Sequence, residues 1–220
     1  MQRGETEGLK ARAECQEQEQ KQEDGNFLKQ LASALRQMLF LVQRLINIVI
    51  LKSSQTDYGR IHIDGILTIM NSGRFSIGAG TKINSSKYKN IIGGDTRTAF
   101  IIHKNAVLRI GENVRISNST FQCTKSIIIG DHVMIGGSCK IWDTDFHSLD
   151  PQVRAAAPNE GYRSCDIVIE SNVFIGGFSI ILKGVTIGRN SVVAAGSVVT
   201  RNIPANEVWG GNPAKFLRKL

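Results

Sequence analysis

One polar segment, between Cys139 and Ile167, collects the side chains best suited to acid–base chemistry. It contains His147, preceded at short spacing by Asp143 and Asp145, and it interrupts an otherwise apolar stretch of chain. An imidazole has an ordinary pKa of about 6.5, so it can accept a proton at neutral pH. Long loops inside compact domains are commonly functional. We therefore take His147 as the candidate for catalysis.

The remaining histidines and the cysteines indicate no second chemical site. His62, His103 and His132 lie in repeat-like segments, and we interpret each of them as a surface imidazole. A zinc site would need at least three convergent ligands, and the chain has no HxxxH spacing. No two cysteines form a CxxC pair, so we interpret all four as reduced core side chains: Cys15, Cys123, Cys139 and Cys165. We therefore expect no metal.

A six-residue repeat must position the loop that carries His147. Its positions are Ile127, Val133 and Cys139, and then Ile167, Val173, Ser179, Val185, Ser191, Ser197 and Ile203. A period of six fits neither a helix nor a hairpin, but it is typical of a parallel β-solenoid in which each hexad supplies one strand and one corner. We expect the repeat residues to point inward, and glycine at the corners to permit backbone conformations that a Cβ would penalise. The predicted solenoid covers 57–205, followed by a basic tail, 206–220.

Two different segments precede the repeats. Residues 1–26 are rich in Glu and Gln and bury little apolar surface, which predicts a disordered extension or a frayed helix. Residues 27–52 predict an amphipathic helix, because apolar residues recur at alternating spacings of three and four: Leu28, Leu31, Leu35, Met38, Val42, Leu45 and Val49. Polar residues interrupt this pattern, so we expect no membrane-spanning run. Packing on the domain or on other copies is favoured, and the alternative is that 27–51 forms an interfacial helix on the inner membrane.

The formal net charge of +8 comes entirely from residues 51–220. A basic folded domain attracts anions such as a phosphorylated cofactor or an acidic polysaccharide. Nucleic acid is disfavoured, because aromatic residues are only 6% of the chain and no nucleic-acid-binding module is recognisable. The first 26 residues do not resemble a secretory signal, so we expect a cytoplasmic protein.

Two stretches resemble the hexapeptide-repeat acetyltransferases, in particular the branch with maltose, galactoside and surface-polysaccharide O-acetyltransferases. They are DTDFHSL and IVIESNVFIGGFSIILKGVTIGRNSVVAAGSVVTRNIPANEVWGGNPAKFLRKL, and the resemblance is strongest over 127–215. It implies an all-β fold, a left-handed parallel β-helix, here with an N-terminal amphipathic helix; left-handed crossovers are otherwise rare. It also implies a homotrimer with active sites between subunits, and acetyl-CoA as co-substrate.

The resemblance assigns roles to individual residues. His147 would be the general base for direct transfer to an acceptor hydroxyl, with Asp145 or Asp143 orienting its ring. The backbone N–H of Gly177 would meet the thioester end of coenzyme A. Further coenzyme contacts would fall on Ala195, Thr200, Arg201, Lys215 and Arg218. We assign the acceptor to Phe174, Trp142 and Arg163.

Phe174 is a departure from the family, which often has tryptophan at that position. Phenylalanine keeps the ring face but lacks the indole N–H donor. The acceptor pocket is therefore expected to differ from that of the family's better-known members.

Three functions compete. The first is O-acetylation of a sugar hydroxyl in a capsule or lipopolysaccharide. An acidic, sialic-acid-containing acceptor is favoured by the basic residues of the early coils, which are Lys82, Lys87, Lys89, Arg97, Lys104, Arg109 and Arg115. The second is N-acetylation of a nucleotide-linked amino sugar. The third is a non-enzymatic scaffold, which predicts no coenzyme binding and is disfavoured by His147, Lys215 and Arg218.

Overall fold

A computed structural model describes the backbone of residues 2–156 and 161–220, and the side-chain surroundings of residues 22, 25–156 and 161–220. Two compact units divide between Val42 and Gln43. The first helix, α1, runs from Gln2 to Ser53. Of the two alternatives for residues 1–26, a disordered extension or a frayed helix, the structure has a helix. This segment has few apolar residues to bury, but its Glu, Gln, Lys and Arg are good helix formers.

The second unit contains the repeats, which form short strands. In chain order these are β1 Asp57–Tyr58, β2 His62–Gly65, β3 Thr68–Asn71, β4 Arg74–Ile77, β5 Lys82–Ser85, β6 Ala99–Ile102, β7 Val107–Ile110, β8 Arg115–Ser117, β9 Thr120–Cys123, β10 Ser126–Ile129, β11 Met134–Ile135, β12 Lys140–Trp142, β13 Ile167–Ile169, β14 Phe174–Ile175, β15 Ile180–Ile181, β16 Thr186–Ile187, β17 Val192–Val193, β18 Val198–Val199, β19 Glu207–Gly210 and β20 Lys215–Lys219. A 3₁₀ helix spans Ile91–Gly93, and α2 spans Pro151–Ala155.

The strands form three sheets, and each coil of chain visits them in turn. Sheet 1 has the order β1-β4-β7-β10-β13-β16, sheet 2 the order β2-β5-β8-β11-β14-β17-β19-β20, and sheet 3 the order β18-β15-β12-β9-β6-β3. Neighbouring strands are parallel, and the pair β19–β20 is antiparallel. The coil is thus a triangle with three corners. We call the turn from sheet 1 to sheet 2 corner 1, that from sheet 2 to sheet 3 corner 2, and that from sheet 3 back to sheet 1 corner 3.

The repeat residues fill the interior, as predicted. Every predicted repeat position from Ile127 to Ile203 is buried. The serines among them satisfy their hydroxyls on neighbouring carbonyls, as buried polar groups require; Ser191 Oγ, for example, donates to the Pro204 oxygen at 2.6 Å. Cys123 and Cys139 are buried, whereas the prediction for Cys165 is wrong because that thiol is exposed. The side chain of Cys15 lies outside the described residues.

The corner glycines act in two ways, and the first is the predicted one: Gly80, Gly184 and Gly196 adopt positive φ. Gly78 and Gly130 do not adopt positive φ; instead, an added Cβ would lie 2.5 and 2.6 Å from backbone atoms of the next coil, so close stacking of coils requires glycine there. The left-handed positions come two residues later and are mostly asparagine, the residue that tolerates this conformation best after glycine. Their side chains form a ladder along corner 1, in which Asn190 Nδ2 donates to Asn206 Oδ1 at 2.7 Å.

The expectation that polar residues prevent a membrane-spanning run also needs correction. Among the described residues, Gly25–Ser53 of α1 is long and apolar enough to cross a membrane by length and composition. The polar side chains in this stretch are mostly uncharged, so its mean hydropathy remains high, at 1.5.

Candidate active site

Residues 143–166 leave the solenoid at corner 3, between β12 and β13. Two backbone hydrogen bonds close the base of this loop. The amide of Asp145 donates to the Arg163 oxygen at 3.0 Å, and the amide of Cys165 donates to the Asp143 oxygen at 2.9 Å. Within the loop, Asp150 caps α2. The loop is therefore anchored at its root on the rigid coil.

Asp143 holds the root of the loop rather than the ring of His147. Its carboxylate is fully buried and accepts the amides of Thr124, Lys125 and Ser126 at 2.7, 2.7 and 2.8 Å. Hydrogen bonds from amides to a carboxylate are among the strong ones in proteins. Burial raises the pKa of the nearby Cys123 thiol to about 12, and the negative charge of the Asp143 carboxylate adds to this rise. The orienting role predicted for Asp143 is thus replaced by a role in shaping corner 3.

Asp145 is tied to the loop by both its backbone and its side chain. Its carboxylate pairs with Lys183 at 2.7 Å, and its carbonyl oxygen accepts the His147 amide at 2.7 Å. The residue between them, Phe146, has a φ of 63°, which is unusual for a bulky side chain and commonly marks functional sites. Among the described residues no side chain hydrogen-bonds the His147 ring. Asp145 therefore positions the His147 backbone, while the carboxylate of Asp145 is paired with Lys183.

A cleft of about 260 Å³ opens beside the His147 ring. Its walls also include His103, Gln122, Thr124, Thr144, Phe146 and Tyr162. His103 is paired through Nε2 with Gln122 Nε2 at 2.6 Å. His103 was predicted to be a surface imidazole. Its place next to Gln122 at corner 3 follows from the register of β6 and β9, which the sequence does not give. Six of the cleft's seven lining residues have side chains that can form hydrogen bonds, and none of the seven is Asp, Glu, Lys or Arg.

The predicted acceptor residues do not all lie near this cleft. The Trp142 ring lies 6.0 Å from the Phe146 ring, centroid to centroid, and Arg163 pairs with the root of the loop. Phe174, in contrast, lies on β14 in sheet 2, between Met134 and Val192. Within one chain, Trp142 contacts Phe146 and the Arg163 carbonyl oxygen contacts the Asp145 amide, both near His147 in sequence, whereas Phe174 lies on a different sheet.

The predicted coenzyme residues lie at three places on the solenoid, of which the first is corner 2. The amide N–H of Gly177 makes no hydrogen bond with any described residue, so it can donate to a ligand. One coil further on, the Gly196 amide donates to the Gly177 oxygen at 2.9 Å, which brings Ala195 beside Gly177. Lys215 and Arg218 are exposed on β20, at the end of sheet 2. Thr200 and Arg201 are exposed after β18, at corner 3.

The repeat and its relatives identify the family. A model of the bacterial transferase hexapeptide, with six repeats, matches residues 166–201. A galactoside O-acetyltransferase from Lactococcus lactis is 40% identical over 103 residues, which make up 47% of this chain and 48% of the relative. A hexapeptide-repeat-containing acetyltransferase from Vibrio cholerae, solved in complex with acetyl coenzyme A, is 32% identical over 76% of this chain and 68% of its own, with a TM-score of 0.47. The chain belongs to the hexapeptide-repeat transferase family.

The fold of this hexapeptide-repeat protein is the predicted left-handed parallel β-helix. AntD, an N-acyltransferase from Bacillus cereus, shares the fold with a TM-score of 0.59 over 74% of this chain and 83% of its own, at 18% identity. The chain spans about half the length of the first curated relatives that it matches, 48% in each case. Among the described residues there is no group of three or more His, Cys, Asp or Glu side chains arranged to hold a metal ion.

The site residues of the hexapeptide-repeat protein thus fall into two groups on different corners. His147 belongs to corner 3 and Gly177 to corner 2, and sheet 3 connects the two corners. The loop supplies a side chain that can accept a proton, and the regular stack supplies an amide donor. Sheet 3 keeps the two groups apart in a single chain.

Proposed function

We propose that this protein is an acetyl-CoA-dependent O-acetyltransferase that acts on a sugar hydroxyl, with His147 as general base. The observation that carries the proposal is the exposed His147 residue in a cleft whose other residues, apart from Phe146, have side chains that can form hydrogen bonds, next to the matched family repeats. A relative named galactoside O-acetyltransferase, 40% identical over about half its length, supports the same chemistry.

In the proposed reaction, acetyl-CoA supplies the acetyl group as a thioester. The His147 ring takes the proton from the acceptor hydroxyl, whose oxygen then attacks the thioester carbonyl. The Gly177 amide donates to the carbonyl oxygen as negative charge develops on it, and one such donor contributes roughly 2.7–4 kcal/mol to lowering the barrier. The protonated ring returns its proton to the departing thiolate sulfur. Atoms and charge balance without a metal or an acyl-enzyme.

We propose that the complete site forms between copies of the chain, in a homotrimer. The separation of His147 and Gly177 on two corners favours this arrangement, because a neighbouring copy can bring its corner 2 against the loop at corner 3. It also accounts for Phe174, which would enter the site from the neighbour. Lys215 and Arg218, exposed on β20, suit the phosphates of coenzyme A.

For the acceptor we propose a sugar of a surface polysaccharide, modified in the cytoplasm. The cleft beside His147 contains Gln122, Thr124, Thr144 and Tyr162, which match sugar hydroxyls as hydrogen-bond partners. An acidic polymer would in addition use the basic early coils. Two of those lysines are partly compensated, since Lys87 lies 3.7 Å from Asp95 and Lys89 lies 3.6 Å from Asp64.

The test is release of free thiol from acetyl-CoA in the presence of neutral glycans, acidic glycans and nucleotide-linked amino sugars. Sugar-dependent release with an O-acetylated product supports the proposal. Release only with an amino sugar, giving an amide product, would replace it by the N-acetyltransferase alternative. The absence of both release and coenzyme binding would leave the scaffold alternative.

A further inference from the structure

The end of α1 presents two faces with different surroundings, both inside the second unit. Asn47 and Leu51 are 3% and 2% exposed. The Asn47 side chain donates to the Gly65 oxygen at 2.8 Å and accepts the Leu67 amide at 3.0 Å, while Leu51 joins the core of the solenoid. On the opposite face, Leu45 and Val49 are 64% and 65% exposed. The helix therefore packs on the first coils through Asn47 and Leu51 and leaves the opposite side, with Leu45 and Val49, uncovered.

The uncovered apolar face continues towards the start of the apolar segment. At 100° per residue, its side chains occupy about half the circumference of the helix. They are Phe27, Leu28, Leu31, Leu35, Met38, Leu39, Leu41, Val42 and Ile46, all exposed. Contiguous apolar surface of this extent mostly marks a protein or membrane contact.

The polar face of the same segment carries only positive charge. Lys29, Arg36 and Arg44 lie on it, and residues 27–53 contain no Asp or Glu. A basic helix of this kind complements an anionic lipid surface, where each Lys or Arg adds to binding. Basic side chains also extend along the helix towards headgroups while their stems cover apolar surface.

We propose that residues 27–46 of α1 lie in the plane of an anionic lipid bilayer, with the apolar face in the acyl boundary and the three basic residues among the headgroups. The two other ways of covering this face fit less well. In a coiled coil of few strands the positions beside the apolar seam carry charge, whereas here they are apolar: Phe27, Ala32, Ala34, Leu39, Leu41 and Ile46.

A transmembrane helix is disfavoured by charge and by packing. Arg36 and Arg44 would lie within the span, where charged side chains are costly. Asn47 and Leu51 are already occupied by contacts with the solenoid. The part of the apolar segment that remains available suits the interface better than the bilayer centre.

The experiment is co-sedimentation of the full chain with vesicles of phosphatidylcholine alone and of equal parts phosphatidylcholine and phosphatidylglycerol. We expect strong binding to the anionic vesicles. The variant L31Q/L35Q should bind them at least ~10-fold more weakly, because it removes apolar surface from the face. The matched control I91Q/I92Q changes two apolar residues of the solenoid that are 84% and 77% exposed, and it should bind like the unaltered chain.

A second variant tests the charges. R36Q/R44Q should bind anionic vesicles about 25-fold more weakly, at about 5-fold per charge, and neutral vesicles as before. Circular dichroism and thermal unfolding matching the unaltered chain show that each variant is folded.

Results of three kinds, from binding, light scattering and membrane extraction, would overturn the proposal. The first is no binding of the unaltered chain to anionic vesicles, or equal binding by L31Q/L35Q and I91Q/I92Q. The second is a fall in oligomer mass for L31Q/L35Q in light scattering without lipid, which would assign the face to contacts between copies. The third is retention in cell membranes after carbonate extraction, which would indicate a spanning helix.

Discussion

Corners 2 and 3 of the solenoid offer chemistry in different ways. Corner 2 is a tight turn in the coils around Gly177, although an earlier coil carries residues 86–98 there, between β5 and β6. Its candidate contribution is a backbone N–H, that of Gly177. Corner 3 breaks the repeat once, with residues 143–166, and its candidate contribution is a side chain, that of His147. A regular stack can present amides at fixed spacing, because its coils approach closely. It has little space for an extra side chain, so the base comes with an insertion.

The two corners are also held differently. At corner 2, glycine allows close approach: a Cβ on Gly177 would lie 3.0 Å from the Gly137 oxygen. At corner 3, a buried carboxylate, Asp143, gathers three amides of the preceding coil and starts the loop from there. Substitutions at the two corners should therefore have separable effects on turnover, on assembly and on stability.

The largest effect is expected for the base at corner 3. His147→Ala should reduce turnover by at least ~10²-fold while leaving coenzyme binding and thermal unfolding unchanged, since it removes proton acceptance alone. His132→Asn is the matched control, because His132 is an exposed histidine of corner 1 whose positive φ asparagine tolerates. Thiol release by both variants is the measurement. Equal activity of the two variants would contradict the role of His147.

Mixing one inactive variant of each corner tests whether the two corners meet between copies of the chain. Gly177→Val should be inactive because its side chain obstructs the amide, and His147→Ala should be inactive for the reason above. If each site takes the loop of one copy and corner 2 of the next, refolding an equal mixture should restore about a quarter of the unaltered activity. Thiol release before and after mixing measures this. If the mixture stays as inactive as its parents although they co-assemble, both corners act within one chain or one variant prevents assembly of the site.

The two aspartates of corner 3 should separate stability from activity. Asp143→Ala should lower the free energy of unfolding by about 3 kcal/mol, since it leaves three amides and a buried site without their acceptor. Asp145→Ala should cost less than ~1 kcal/mol, because it loses a partly exposed pair with Lys183. Urea unfolding of both variants checks the difference. Equal losses would mean that Asp143 is no more a structural anchor than Asp145.

The two corners also differ in how much of the candidate site could be predicted from the sequence. The hexad alone predicted which residues fill the core, because inward positions recur at a fixed period and any break is conspicuous; the loop with His147 was found as such a break. Gly177 came only from the family resemblance, since one glycine among many carries no chemical signal. His103 was missed because its place beside His147 depends on how coils stack, and Asp143 was misassigned because three amides compete for its carboxylate.

The prediction for the N-terminal segment was incomplete for a different reason. Its apolar seam predicted a helix over 27–52, and the structure extends it to Gln2. Burial arguments do not register the helix propensity of a charged, solvated segment. The seam by itself also does not say which face of the helix stays uncovered. That face is known because Asn47 and Leu51 contact the solenoid on the other side.

The smallest effect concerns the basic early coils, away from both groups of site residues. If the acceptor is an acidic polymer, Lys87→Gln/Lys89→Gln should raise its Michaelis constant at low salt and flatten the salt dependence, leaving the constant for acetyl-CoA unchanged. The change should be only about 2–5-fold, because both lysines are exposed and already face Asp95 and Asp64. Salt screens such contacts over about 8 Å at physiological ionic strength, so unaltered chain and variant should converge as salt rises. Kinetics with a neutral and an acidic glycan across a salt series provide the check. If the best acceptor is neutral, and neither salt nor the substitutions change its kinetics, the early-coil charges are only a solvated face. Recognition is then confined to the cleft beside His147.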